Sequence, residues 1–130
     1  MGMVTTVPID TPTAAVAYAG APSLQHEAET LLRQAATLAA APGDPAITED
    51  NRAYVERLYL LGRAALADRE ALERPAVERL AVEAEALARQ LLTLDRQDPE
   101  HTTGTHPPDH PGWAGAERVY VRQEYDAWGW

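Results

Sequence analysis

The sequence predicts an all-α fold: three helices in an up-down arrangement, with an extended Pro-rich arm at the N-terminus and an aromatic tail at the C-terminus. Two observations carry this reading. Between residues 23 and 96, apolar side chains recur every three or four positions, the period of a helix that buries one face. Prolines and most glycines fall between those periodic runs or at the two ends, where they break regular structure. At 130 residues the chain is one domain.

Residues 1–22 hold Pro8, Pro12, Pro22, Gly2 and Gly20. This reads as an extended arm. Its run Ala14–Ala19 is too apolar for a pure linker, so it is suited to lie along another surface. The helical domain is residues 23–96. The first helix starts after Ser23, a capping residue, and stops at Pro42-Gly43-Asp44-Pro45. Its stripe is Leu24, Ala28, Leu31, Leu32, Ala35, Leu38 and Ala39. The second helix follows Thr48, with Glu49 and Asp50 placed where the helix dipole favours acids. Tyr54, Leu58, Leu61, Ala65 and Leu66 form one face, widened by Val55 and Tyr59. Gly62 in mid-helix costs about 1 kcal/mol against Ala and suggests a close approach by another backbone. The third helix begins near Pro75. Val77, Leu80, Ala84, Leu87, Leu91 and Leu94 then form a heptad seam too short for a free-standing coiled coil.

Residues 97–130 are read as a partner-binding tail. They contain four prolines after the third helix and five of the eight aromatic residues: Trp113, Tyr120, Tyr125, Trp128 and Trp130. Clustered aromatics outside a core mark a surface to be covered. The stretch 117–125 alternates well enough for one short strand, which would need a partner for its edges.

Composition narrows the function. The chain has no Cys and no Lys, and its formal net charge is -9. That excludes disulfides, thiolate metal sites and cysteine nucleophiles. It also argues against nucleic acid, whose phosphates demand dense basic side chains. No apolar run is long enough to span a membrane, and no signal peptide is evident at the start. A cytoplasmic protein is expected. Of the apolar residues, 25 are Ala, so the core is thin and a partner could help to bury it. His101, His106 and His110 stand near Asp109, and zinc or cobalt accepts imidazole. Three prolines and no helix leave their geometry unset, so a solvated loop is the expectation. The carboxylate pairs follow helix polarity, Ser23 is the only serine, and no phosphate loop is present. On its own residues the chain does not read as an enzyme.

One stretch suggests a family. Residues 53–68, AYVERLYLLGRAALAD, resemble a helix of the β-type subunits of nitrile hydratase and thiocyanate hydrolase. Tyr54 falls on the first Tyr of a Tyr-Tyr-x-Arg-Trp-like start and Arg57 on its Arg. Val55 replaces the second Tyr and Leu58 the Trp. The sequences before and after are similar to the neighbouring helices of the same half-subunit. His106-Pro107-Pro108-Asp109 and Val119-Tyr120-Val121-Arg122 are a weaker echo of the family's small barrel.

The resemblance implies a non-catalytic subunit. In such hydratases, cobalt or non-haem iron sits in a Cys-rich partner subunit, and the β-type chain covers it and lines the substrate pocket. Split β-type chains, as in the toyocamycin enzyme, imply a possible further small subunit. By this resemblance Tyr54 and Leu58 are substrate-pocket residues, and Arg52 and Arg57 contact the metal claw. The alternative is a helical adaptor or precursor whose aromatic tail docks on, or is modified by, another protein.

Overall fold

A computed structural model describes residues 11–128. Within that span the chain is all-α, with no strand. The helices are α1 (Ala14–Ala17), α2 (Leu24–Ala40), α3 (Glu49–Glu73), α4 (Glu78–Gln97) and α5 (Glu117–Trp128). Four are substantial, one more than the sequence suggests.

The starts of α2 and α3 follow from their caps. Ser23 Oγ accepts from the His26 amide at 3.1 Å, and Thr48 Oγ1 from the Asn51 amide at 3.1 Å. The third predicted helix begins later than expected. Arg74 precedes Pro75, and the proline ring disfavours helical backbone at the residue before it. Arg74 is therefore non-helical and ends α3, and a turn closed by the Val77 amide on the Arg74 carbonyl leads into α4 at Glu78.

The heptad seam closes inside the chain. Leu80, Ala84, Leu87 and Leu91 are buried, together with Ala88 and Leu92. They pack mainly on α3 and α5. Ala64, Ala65 and Ala67 on α3 are buried as well, and small side chains let the helices come close. Gly62 has the same purpose, although its neighbour is a side chain and not a backbone. A Cβ there would stand 2.8 Å from Leu31 Cδ2.

Both ends differ from expectation. Within the predicted extended arm, residues 11–22 contain α1, capped by Thr13, and Tyr18 packs against α5 with ring centroids 5.1 Å from Tyr125. Residues 1–10 lie outside the described span. In the predicted tail, residues 117–125 are helical, not a strand. The physical reason is visible in the buried set: Tyr120, Val121, Gln123, Glu124 and Tyr125 form a stripe at helical spacing. Two of its members are polar, so the apolar pattern alone looked two-fold. The preceding loop is not free either. Trp113 Nε1 donates to the Pro107 carbonyl at 2.8 Å, and Arg96 Nε to the Pro108 carbonyl at 2.9 Å.

Candidate functional site

Among the described residues charge is buried in three clusters, and α5 takes part in all of them. In the first, Arg57 on α3 meets Asp95 on α4 through two parallel bonds. Its Nε and Nη2 each lie 2.9 Å from a carboxylate oxygen. Arg57 Nη2 also donates to Glu124 Oε1 at 2.7 Å. Tyr120 donates to Asp95 Oδ2 at 2.5 Å. Glu124 then accepts from the amides of Thr103 and Gly104 at 2.9 and 2.8 Å. A side chain at position 104 would collide with Glu124 and Gln123. Gln123 completes the clasp by bonding both the amide and the carbonyl of His106. Two carboxylates, one guanidinium and two backbone amides thus compensate one another, with both carboxylates fully buried.

The second cluster centres on Asp68 of α3. It accepts from Tyr18 at 2.7 Å, from Arg118 at 2.6 Å and from Arg122 at 2.8 and 2.9 Å. Burial alone would favour the neutral acid. The bonds from Arg122 and Tyr18 outweigh it and hold the carboxyl below its ordinary range. The third pairs Glu27 of α2 with Tyr125 at 2.8 Å, with Arg69 3.6 Å away. Burial, and then the adjoining carboxylates, push the hydroxyls of Tyr18, Tyr120 and Tyr125 upwards, so all three stay neutral donors.

These clusters are held by bonds on every side. A general acid or base must reach a substrate proton, and Asp68, Asp95 and Glu124 are each fully buried and already bonded. Their geometry is that of cross-links between α5 and the other helices.

The lowered Asp68 value has a consequence for acid stability. Its folded pKa lies below the ordinary 3.8. The stability it contributes is therefore present above that value and lost as pH falls through the lower, folded one. Wild-type chain is expected to lose stability steeply in that range. Asp68→Asn should be less stable at neutral pH and show a shallower fall below pH 4 in acid titrations read by circular dichroism. Equal slopes for the two proteins would contradict this role.

The residues expected at a site are divided by the structure. Tyr54 is 37% exposed, with His101 and Trp128 rings 5.4 and 5.9 Å away. Leu58, four residues on, is half-buried, and Arg52 is exposed and paired with Glu56 at 3.0 Å. Arg57 is only 5% exposed and is bonded within the chain. It is not free to contact a partner's metal claw, because its guanidinium neutralises Asp95 and Glu124.

Among the aromatics read as partner-binding, Trp113, Tyr120 and Tyr125 are core residues. Trp113 lies edge-on to Tyr120 at 5.1 Å. Trp128 is half-buried, and Trp130 lies outside the described span. His106 and His110 are in edge contact at 5.5 Å, whereas His101 sits with Tyr54. Among the described residues, no group of three or more His, Asp or Glu is placed to hold a metal ion.

The residues that sequence reasoning passed over are the buried acids. Each stands where a helix stripe is apolar. Asp95 continues Ala84, Ala88 and Leu91 on α4, and Asp68 continues Leu61, Ala64 and Ala65 on α3. An acid in register with a buried stripe needs a cationic partner, and that was the available signal.

Comparison with protein-family models, curated proteins and solved structures finds no match for the chain. No helix among the described residues is long and apolar enough to cross a membrane.

Proposed function

We propose that the chain is a non-catalytic small subunit of a heteromeric, metal-dependent nitrile hydratase. It would present the Tyr54 end of α3 to a Cys-rich subunit that carries cobalt or non-haem iron. The observation that carries this reading is a contrast. The chain's buried carboxylates are occupied in internal cross-links, while Tyr54 is partly exposed with two further aromatic rings around it. Such a chain supplies a wall, not a reacting group.

The partner's metal would activate water for addition to the nitrile carbon, giving an amide. This chain's part is to close the site and to line it with Tyr54 and Leu58. Arg52 is the remaining candidate for a claw contact. Its exposed pair with Glu56 is weak enough to be exchanged for a stronger partner.

The decisive experiment is gentle purification of the native complex, with mass spectrometry of the partners and elemental analysis for cobalt and iron. A Cys-rich partner with stoichiometric metal is the expected result. A metal-free complex, or a lone chain with a modified C-terminus, would overturn the reading in favour of the adaptor or precursor. Tyr54→Phe in the assembled complex is expected to lower nitrile turnover about tenfold, the worth of one hydrogen bond of about 1.4 kcal/mol, with assembly intact. Unchanged turnover would remove Tyr54 from the pocket.

A further inference from the structure

The helices leave one slot of a bundle unfilled. α2 and α4 both pack on α3. Between them runs an open groove of about 320 Å³. Its floor is Tyr59 and Leu66 on α3, its walls Leu31 and Leu32 on α2 and Leu87 on α4. Glu27 is the only residue of α2 that is buried, and Leu32 stands 72% exposed. The apolar stripe that the sequence puts on α2 is thus only half-used by the fold.

The groove is also charged unevenly. Arg63 lies over the Tyr59 ring at 5.7 Å and occupies one end. Glu70 and Glu83 stand at the other, both exposed and neither in an ion pair among the described residues. The groove wall on α2 runs from Ala28 to Ala35, about 10 Å or two helical turns.

The geometry points to an occupant: an amphipathic helix of another protein, with apolar residues at i, i+3 or i+4, and i+7, and with basic residues flanking them at the Glu70–Glu83 end. The acidic end selects the sign of the flank. A second copy of this chain suits the groove less, because each copy brings a formal charge of -9. The surface is separate from the Tyr54 end of α3, and the inference does not depend on the hydratase reading.

The test uses the full chain and a fluorescein-labelled, stapled peptide of about 18 residues, long enough for five turns. The peptide carries Leu at the stated spacing with Lys flanks at one end. A second peptide has Glu in place of Lys. Saturable binding of the Lys peptide by fluorescence anisotropy is expected, with the Glu peptide about tenfold weaker. Leu32→Asp changes an exposed position, so it should fold normally and bind the Lys peptide about tenfold more weakly. The double variant Glu70→Arg, Glu83→Arg should reverse the preference between the peptides. Absence of binding, equal binding of both peptides, or wild-type binding by a folded Leu32→Asp would each overturn the proposal. So would a wild-type dimer that Leu32→Asp converts to monomer, since the groove would then belong to a second copy.

Discussion

Arg57→Met is expected to destabilise the fold by about 3–5 kcal/mol, because it strands two buried acids at once. Asp95 and Glu124 both rely on this guanidinium, at 2.9 and 2.7 Å, and neither reaches solvent. For a domain of this size such a loss lowers the melting midpoint by more than about 10 °C. Thermal and urea unfolding followed by circular dichroism would measure it. Arg57→Lys should recover little, since an ammonium cannot make the two parallel bonds to Asp95 while also reaching Glu124. A midpoint for Arg57→Met within about 2 °C of wild type would mean that α5 does not dock through this cluster.

Trp113→Ala is the second large effect, again about 3–5 kcal/mol. The indole is fully buried, packs on Tyr120 and donates to the Pro107 carbonyl. It anchors the proline-rich loop to α5. The same substitution separates two views of the C-terminal region. A free docking tail would lose no stability when Trp113 is truncated. A folded-back tail would lose the loop and the N-terminal part of α5 together. Loss of near-ultraviolet circular dichroism alongside the lower midpoint is the expected signature.

Both predictions concern residues whose roles depend on the path of the chain after residue 97. The first three long helices were legible because each carries an apolar stripe, and in the first two a capping residue marks the start. Ser23 and Thr48 cap their helices as the sequence implies. The start of α4 was less legible, because a proline at the first helical position and one in the turn before it look alike. The C-terminal helix was misread for a different reason. Its buried face includes Gln123 and Glu124, which count as surface in a hydropathy pattern, so Val119 and Val121 suggested a strand. Tyr18 shows the same thing at the other end. Its partner is Asp68, 50 residues away, and nothing in its neighbourhood signals that.

The candidate site divides along the same line. Tyr54 was singled out by the family resemblance, and it remains partly exposed. Arg57 was singled out with it, three residues on, and the fold turned it inward. Helix position alone does not separate the two. Tyr54 has an open side, whereas Arg57 has acids from α4 and α5 beside it.

What the sequence determined by itself is the class of the fold, the three long helices, and the absence of cysteine chemistry, because propensity, period and composition are local or additive properties. What only the tertiary structure decided is which charges are inside. Asp68, Asp95, Glu124 and Glu27 are ordinary acids in the sequence. They become cross-links only when helices far apart in the chain bring Arg57, Arg118, Arg122 and Tyr125 within bonding distance. Burying a charge is favourable only when its partner is already in place, and that pairing exists nowhere but in the folded chain.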